Sequence, residues 1–397
     1  MTETIWTTGE LLERIHRRSP FFVFDVRNRD EFERSQIEGR EPLASINVPY
    51  FEILEQGGKD EMMDSIVAYA ERDLAAVLPK GMPILTVCAK GQTAQYVAQG
   101  LSHLDYSSVV LQGGATAWSN HYDVRTLFED ADGAVHQVSR PARGCVSWVV
   151  ESRGRGAVID CLRHTDPYVS LARRRGFSID IVIDTHGHAD HISGGPALAA
   201  QSGGAYFLHP YDAIHPVDVL PAQIAFENIR DGQKFSVGAY ELEAMHIPGH
   251  TLGQVALKMG SRCVFAADSI FIRSISRPDL GGKAETWAPL HARSLRKLLS
   301  LPEDMLILPG HFSNLDELDN AGCCAATLRE LKSGNEGVRA LLNGSEESFV
   351  RFLLAGLPPP MSEYADIKRV NAGLLPASEE QASVLECGKN ICALSKT

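Results

Sequence analysis

The 397-residue sequence predicts an α/β domain built on a parallel sheet, followed by a domain of two sheets packed face to face with helices outside. Three observations lead to this fold class. The length exceeds what one hydrophobic core usually organises. Short apolar strands alternate with amphipathic helices up to about residue 125, whereas strands outnumber helices in the region that follows. Apolar runs in both regions end in Cys, His or Asp, which is how strands deliver polar side chains to a cleft.

Composition and charge exclude several classes of partner. The formal net charge of -12 argues against a nucleic acid or an acidic membrane surface, because phosphate contacts need clustered Lys and Arg. The N-terminus lacks a basic start followed by an apolar stretch, and no apolar run approaches membrane-spanning length, so we expect a cytoplasmic protein. The eight cysteines are scattered through a long chain and are expected to be reduced thiols. Whether the chain forms a homo-oligomer stays open.

The first domain is predicted to span residues 1–125. Apolar periodicity and capping residues define its elements. In chain order these are a helix that begins at a capping box in Thr7–Glu10, a buried strand at Phe21–Val26, an extended piece that ends at Ile46–Pro49, a helix at about Glu61–Leu78, and a buried strand at Pro83–Val87.

The loop after the last of these strands reads C-A-K-G-Q-T and precedes a predicted helix from Ala94 to about Leu104. A thiol between the end of a strand and the first turn of a helix faces inward-pointing N–H groups and the positive end of the helix dipole. That environment favours a thiolate and, equally, a persulfide anion. Gly91 allows the loop to curl with a positive φ. The alternative is a buried structural cysteine. The loop residues are Cys88, Ala89, Lys90, Gly91, Gln92 and Thr93.

This domain resembles a rhodanese. The resemblance is carried by the six-residue loop and by Asp25-Val26-Arg27, Ile46-Asn47-Val48-Pro49, and Leu111-Gln112-Gly113-Gly114 with Ala117-Trp118. It implies that Cys88 is catalytic and accepts and donates a sulfane sulfur. Related phosphatases use a loop one residue longer that closes with Arg, but position 94 is Ala here, which favours sulfur transfer. Many rhodaneses carry Arg directly after the cysteine; this chain has Ala89, which leaves Lys90 as the only cation of the loop and implies altered recognition of thiosulfate.

A metal site is predicted at the end of the stretch Ile179 to His191, which reads I-D-I-V-I-D-T-H-G-H-A-D-H. A buried β-branched run ends there in three histidines and two aspartates, a pattern that packing alone does not require. The alternative is a polar loop with satisfied histidines. The metal-capable side chains are His186, His188, Asp190 and His191.

Three later motifs repeat this pattern of a ligand-type residue just beyond a short apolar segment. His250 follows a strand at a Pro-Gly turn, Asp268 ends the run Phe265-Ala266-Ala267, and His311 follows Leu306 to Gly310. Together the motifs of residues 126–345 resemble the metallo-β-lactamase superfamily. The sequence is thus interpreted as an α/β rhodanese-like domain followed by an αββα metallo-β-lactamase-like sandwich domain.

The superfamily resemblance implies two alternative ligand sets. In binuclear zinc hydrolases such as glyoxalase II, the positions matching His186, His188, His250 and Asp268 hold one ion, and those matching Asp190, His191, Asp268 and His311 hold another. In persulfide dioxygenases, only the positions matching His186, His250 and Asp268 bind, and they bind one iron. Two imidazoles and one carboxylate form the facial triad of a non-haem Fe(II) oxygenase. His188, Asp190, His191 and His311 would then orient the ligands.

The segment Ile270 to Leu280 favours the oxygenase, since it is similar to the persulfide dioxygenase pattern with an Arg nine positions after the aspartate ligand. The resemblance implies that this residue, Arg277, is catalytic and lies near the substrate pocket. The alternative is a loop arginine paired with Asp279. Thr251 and Arg277 are expected to contact substrate.

Residues 346–397 resemble the C-terminal extension of bacterial persulfide dioxygenases, through the run from Ser348 to Pro360 and through Ile367 to Asn371. That family often has Asp-Tyr after the last histidine, where this chain has Phe312-Ser313. Cys387 and Cys392 are interpreted as incidental residues of a mobile tail, with sulfur relay or a disulfide as the alternatives.

The leading hypothesis is a bifunctional enzyme of sulfur metabolism. One Fe(II) per chain would support oxidation of glutathione persulfide, or a similar persulfide, by O2 to sulfite, and Cys88 would transfer sulfur between small molecules such as glutathione, thiosulfate and sulfite. A second hypothesis is a hydrolase of a thioester or lactone with two Zn(II) and an appended rhodanese domain. A third is a sulfur carrier or sensor with a structural metal, which is disfavoured because open ligand sets with carboxylates seldom serve structure alone.

Overall fold

The computed structural model describes residues 4–357 and 362–394. The chain divides into two compact units, the first made of Met1–His121, Arg140–Arg143 and Cys387–Lys389, and the second of Tyr122–Ser139, Gly144–Glu386 and Asn390–Thr397. The predicted domain limits at residues 125 and 345 stay predictions. Parts of the predicted N-terminal and C-terminal motifs, residues 1–3, 358–360 and 395–397, lie outside the described residues.

The first unit is a five-stranded sheet with helices, and its paired strands are parallel in the order β1-β5-β4-β2-β3. The helix predicted at residues 61–78 is shorter in the structure. Its α-helical part ends at Tyr69, and a π-helical segment follows at Ala70–Leu74. The elements are β1 (Thr4–Trp6), α1 (Thr8–His16), β2 (Phe22–Asp25), α2 (Arg29–Arg34), β3 (Ser45–Asn47), α3 (Tyr50–Gly57), α4 (Met62–Tyr69), β4 (Ile84–Val87), α5 (Gln92–His103), β5 (Ser108–Leu111) and α6 (Gly114–Ser119).

Strand β4 lies between β2 and β5, and all four of its residues are buried. A fully buried strand of this kind is typical of a parallel sheet with helices on both faces. The first residue beyond β4 is Cys88, so the central strand of the sheet presents the thiol at its carboxyl end.

The second unit contains a seven-stranded and a six-stranded sheet, in the orders β12-β11-β10-β9-β8-β7-β6 and β13-β14-β15-β16-β17-β18. Its elements are β6 (Asp123–Glu129), β7 (Gly133–Arg140), β8 (Cys145–Ser152), β9 (Arg155–Ile159), α7 (Asp166–Arg175), β10 (Ser178–Ile183), α8 (Gly195–Ser202), β11 (Ala205–Leu208), β12 (Glu227–Asn228), β13 (Lys234–Val237), β14 (Tyr240–His246), β15 (Val255–Met259), β16 (Cys263–Ala267), α9 (Ala284–Leu299), β17 (Leu306–Pro309), β18 (Ala326–Thr327), α10 (Leu328–Gly334), α11 (Glu336–Asn343), α12 (Glu346–Ala355), α13 (Glu363–Asn371) and α14 (Glu379–Leu385).

The two sheets pack face to face through aromatic side chains. Trp148 of β8 meets Phe265 of β16 edge-on with ring centroids 6.1 Å apart, and its indole N–H donates to the carbonyl of Pro309 at 3.0 Å. Helices α7 and α8 cover the outer face of the first sheet, and α9 to α12 cover that of the second. The predicted αββα sandwich is thus confirmed. No helix within residues 4–357 and 362–394 is long and apolar enough to cross a bilayer.

A buried asparagine secures the segment that leads away from Asp268. The Asn335 side chain donates to the carbonyls of Phe271 at 2.9 Å and Ser274 at 2.7 Å, and its Oδ1 accepts from the N–H of Val338 at 3.0 Å. One side chain therefore caps α11 and satisfies two carbonyls of an irregular segment.

We expect Asn335→Ala to lower the free energy of unfolding of the second unit by about 3 kcal/mol, because it removes a helix cap and leaves buried carbonyls without donors. Asn343→Ala, at the exposed end of α11, is the matched control and should cost less than about 0.5 kcal/mol. Urea denaturation measures both variants, and equal stabilities would contradict the role assigned to Asn335.

Candidate metal centre and persulfide loop

The loop of Cys88 wraps backbone N–H groups around the sulfur. The N–H groups of Gly91 and Ala94 point at Sγ from 3.1 and 3.4 Å. Gly91 has φ +90°, which turns its N–H inward and which a side chain would resist. Cys88 is buried, whereas Lys90 is exposed. The loop can therefore stabilise negative charge on a sulfur carried by Cys88.

A Gly-Gly turn closes this loop from behind. The N–H groups of Ala115 and Thr116 donate to the carbonyls of Cys88 and Ala89 at 2.9 and 3.0 Å. Gly114 has φ +61°, and a Cβ there would overlap the Cys88 carbonyl oxygen. This close approach explains why two glycines follow β5.

In the second unit, every predicted metal ligand follows the carboxyl end of a strand. His186, His188, Asp190 and His191 lie after β10, His250 after β14, Asp268 after β16, and His311 after β17. These strands belong to both sheets of the sandwich, so one edge of the sandwich collects all the ligand-type residues.

Hydrogen bonds fix the tautomers of the first two histidines. His250 Nδ1 lies 2.7 Å from the carbonyl of Arg277, and because a carbonyl only accepts, the proton is on Nδ1. The hydroxyl of Thr185 donates to Asp160 at 2.8 Å, so it accepts from His186 Nδ1 at 3.0 Å. Both imidazoles therefore turn an Nε2 lone pair toward the centre. Burial lowers the pKa of each ring, which keeps it neutral.

Three buried ligand atoms meet at this point without hydrogen-bond partners among the described residues: Nε2 of His186, Nε2 of His250 and Oδ2 of Asp268. The nitrogens lie 3.8 and 3.5 Å from Oδ2. Burying such atoms unpaired is costly, and all three lie within 4.8 Å of one another. One ion at the usual ligand distance of about 2.0–2.2 Å would satisfy all three. The residues present thus fit a metal ion.

His311 lies between two carboxylates. Its Nδ1 is 2.7 Å from Asp268 Oδ1 and its Nε2 is 2.7 Å from Asp190 Oδ2. Although burial opposes the charge, these carboxylates raise the pKa of His311 well above its ordinary value. The ring is therefore an imidazolium that donates from both nitrogens, and it leaves only Oδ2 of Asp268 free for a metal.

The remaining loop residues pair with carboxylates as well. His191 Nδ1 lies 3.2 Å from Asp190 Oδ1, and His188 Nε2 lies 3.3 Å from Asp160 Oδ1. These neighbours raise the pKa of both rings against the effect of burial, that of His191 to about 9. The structure thus brings His188, Asp190, His191 and His311 together beside the trio, and ligand atoms of Asp190, His191 and His311 lie within 4.8 Å of one another.

Sequence reasoning missed several acidic residues of this region. Asp160 follows β9 and Asp184 follows β10, the same signal that identified the ligands, but neither was singled out. Asp212 accepts from the Thr251 hydroxyl at 2.5 Å, from the Gly253 N–H at 2.8 Å and from the N–H of Gly187 at 2.9 Å. It thereby joins the loops that carry His186 and His250.

Arg277 is buried, and its guanidinium donates to both carboxylate oxygens of Asp279 at 2.6 and 2.7 Å. This is the pairing given above as the alternative to a substrate contact. The backbone of Arg277 serves the metal centre instead, since its carbonyl accepts from His250. Contact of the Arg277 side chain with substrate stays a prediction.

The interpretation of Cys392 as an incidental tail residue is wrong. Cys392 is fully buried, and its sulfur lies within 4.8 Å of ligand atoms of Asp190, Asp268 and His311. Its carbonyl accepts from the N–H of Arg277 at 2.9 Å, in a short pairing of two segments. The signal was absent from the sequence because the pairing is long-range. Cys387, by contrast, is exposed.

A cavity of about 200 Å³ opens beside the trio. His186, His188 and Thr251 line it, and contact of Thr251 with substrate stays a prediction. Most of the remaining lining is apolar or aromatic, and two lysines also contribute. The lining side chains include Leu208, Tyr211, Leu252, Lys283, Trp287 and Lys368.

We expect Gly310→Ala to weaken metal binding at least tenfold, because the added Cβ would collide with Asp268 Oδ1 and turn the carboxylate out of its position. Gly260→Ala is the matched control, since a Cβ at that exposed turn meets nothing, although its φ is also strained at +53°. Titration of the metal-free protein with a metal ion, followed by calorimetry, gives both affinities. Unchanged binding in Gly310→Ala would refute this role for the glycine.

Comparisons with known proteins agree with this architecture. Residues 7–121 match the rhodanese-like domain model, and residues 140–311 match the metallo-beta-lactamase superfamily model. A hydroxyacylglutathione hydrolase of Fuscovulum blasticum is 32% identical over 161 residues, which cover 40% of this chain and 58% of that protein. The chain thus spans 58% of the length of this curated relative.

Solved structures resemble the chain at the level of fold. A metallo-beta-lactamase from Staphylococcus aureus subsp. aureus COL is 24% identical, with 64% of this chain and 72% of that chain covered and a TM-score of 0.51. ETHE1 from Myxococcus xanthus is 23% identical, with 64% of this chain and 100% of that chain covered and a TM-score of 0.49. The chain therefore consists of a rhodanese-like domain followed by a domain of the metallo-β-lactamase superfamily.

Proposed function

We propose that this protein oxidises a low-molecular-weight persulfide, such as glutathione persulfide, to sulfite at one Fe(II), and transfers sulfane sulfur at Cys88. The supporting observation is the convergence of the unpartnered atoms of His186, His250 and Asp268 on one point, while both nitrogens of His311 are engaged by carboxylates. Two neutral imidazoles and one carboxylate oxygen form the donor set of non-haem Fe(II) oxygenases.

The overall reaction is R–S–SH + O2 + H2O → R–SH + SO3²⁻ + 2 H⁺, in which the persulfide loses the four electrons that O2 accepts. A bound ferrous ion would supply the one-electron chemistry with O2 that Zn²⁺ lacks. The protein fixes its three ligands by hydrogen bonds from the side away from the centre. The apolar cavity wall, which includes Leu208 and Trp287, keeps water away from the reacting sulfur.

Sulfur transfer needs only the thiolate and its loop. Attack of the Cys88 thiolate on thiosulfate breaks the S–S bond, leaves a persulfide on Cys88 and releases sulfite. The N–H groups of Gly91 and Ala94 stabilise the anion before and after transfer. The reverse reaction consumes sulfite, the product proposed for the second domain, and this chemical match supports the pairing of the two activities.

A hydrolase with two zinc ions is the second candidate, because curated relatives are named hydroxyacylglutathione hydrolase. A second ion at Asp190, His191, Asp268 and His311 requires His311 to release one carboxylate and lose a proton. Ligand atoms of Asp190, His191 and His311 lie within 4.8 Å of one another, so metal content distinguishes the two candidates.

We expect protein purified without oxygen to hold about one iron per chain and to consume O2 with glutathione persulfide. His250→Ala should lose the metal and at least a hundredfold in the rate of O2 uptake, since one of three ligands is gone. His246→Ala is the matched control, because His246 lies four residues earlier and its Nε2 bonds to the carbonyl of Leu252 instead. Two zinc ions per chain, with thioester hydrolysis and no O2 uptake, would establish the second candidate in place of the first.

We expect Cys88→Ser to lower thiosulfate sulfurtransferase turnover at least a thousandfold, because the nucleophile is removed. The rate of O2 uptake with persulfide should not change. Cys387→Ser, at an exposed thiol, is the control and should retain both activities. Sulfur transfer that survives in Cys88→Ser would exclude this loop as its site.

A further inference from the structure

The cavity beside the trio contains an ammonium group that makes no direct contact with a carboxylate among the described residues. Lys368 of α13 lines the cavity together with His186 and His188 and is half-buried. Within residues 4–357 and 362–394, the side chain of Lys368 makes no hydrogen bond or salt bridge. Burial lowers the pKa of its ammonium group, which reflects the cost of holding a charge there unpaired.

The carboxylates that border the cavity accept hydrogen bonds from other groups rather than from the lysine. Asp184 accepts from the hydroxyl of Tyr206 at 2.7 Å, and Asp212 accepts from Thr251 and from the N–H groups of Gly187 and Gly253. Neither forms a salt bridge with the lysine. Lys368 therefore offers a ligand an ammonium group that no carboxylate of the lining binds directly.

Helix α13 holds this lysine in place relative to the metal loop. Asn371, three residues later and on the same helix face, donates to the carbonyls of His188 and His191 at 3.0 and 2.9 Å and accepts from the N–H of Ser193 at 2.9 Å. Arg369 forms a bidentate pair with Asp218 at 2.7 and 2.9 Å. The backbone that carries Lys368 is thus fixed, while its ammonium stays available.

The rest of the cavity suits a short, largely apolar body. Leu208, Leu252 and the buried Trp287 form its wall, and the second lysine of the lining, Lys283, is exposed. A ligand that contacts both His186 and Lys368 presents its sulfur to the trio and an anionic group to the lysine. Carboxylate-bearing thiols have this arrangement.

We propose that Lys368 is the anion-binding residue of the substrate cavity, and that it binds a carboxylate of a low-molecular-weight thiol or persulfide whose sulfur faces His186, His250 and Asp268. The assignment rests on the proposed function in one respect, since it takes this cavity to be the substrate site of the metal centre. It makes Lys368 a determinant of specificity for anionic over neutral persulfides.

The test uses the metal-loaded protein and two probes that do not react, S-methylglutathione and its N-acetylated diester, which is uncharged, with affinities from calorimetry. Lys368→Met should lower the affinity for S-methylglutathione at least tenfold, because a charge-assisted contact is lost. The affinity of Lys368→Arg should stay within about threefold of that of the unaltered protein. The diester should bind weakly to the unaltered protein and no more weakly to Lys368→Met. Lys283→Met is the matched control and should change neither affinity by more than about threefold.

Turnover gives a second measurement. Lys368→Met should raise KM for glutathione persulfide at least tenfold and leave kcat within about threefold, with the same metal content and thermal midpoint as the unaltered protein. Unchanged affinity for S-methylglutathione, or an equal loss for the diester, would overturn the proposal. If the protein takes up no O2 but still needs Lys368 to bind S-methylglutathione, the dioxygenase proposal is refuted and the anion-binding site is supported.

Discussion

The charged chain Asp268–His311–Asp190 is the interaction on which the second domain's chemistry depends. Asp268 is buried, and its Oδ2 has no hydrogen-bond partner in the described part of the chain. Its negative charge is compensated at the other oxygen, Oδ1, by the imidazolium of His311 at 2.7 Å. Asp190 in turn compensates the imidazolium. Breaking any member would leave a buried charge uncompensated, which costs several kcal/mol. The chain thus orients Asp268, and it does so through two residues of the predicted second ligand set.

This arrangement follows from the way the sandwich is built. Strands β10, β14, β16 and β17 come from two sheets, yet their carboxyl ends meet at one edge. Ala267 has φ +52° directly before Asp268, and its carbonyl accepts from the N–H of Gly310 at 2.9 Å. A non-glycine residue in the left-handed region costs about 1 kcal/mol or more, and such strain persists only where the surrounding structure imposes it. The strained turn therefore lowers local stability while it places Asp268 beside His186 and His250.

Both folds and the three residues of the trio could be predicted from the sequence, because His186, His250 and Asp268 each lie within four residues of the end of a strand. The same holds for Cys88 after β4. Residues placed by long-range packing could not be predicted in this way. Lys368 lies in helix α13, Asp212 contacts the loops of His186 and His250 from its own loop after β11, and Cys392 pairs with a segment more than a hundred residues earlier. The side chain of Arg277 illustrates a further limit, since a sequence pattern does not reveal whether a guanidinium faces a substrate or Asp279.

The hydrogen bonds from Asn371 to the loop of His188 and His191 join positions about 180 residues apart in the chain. Closing a loop of that length costs conformational entropy. Contacts of this kind therefore tend to form late in folding. During synthesis the ribosome therefore releases the four strands and all the metal-ligating side chains well before the helix that forms one wall of the cavity. A newly made chain would pass through a stage in which the centre can take up a metal ion from open solvent, and the arrival of α13 would then enclose it.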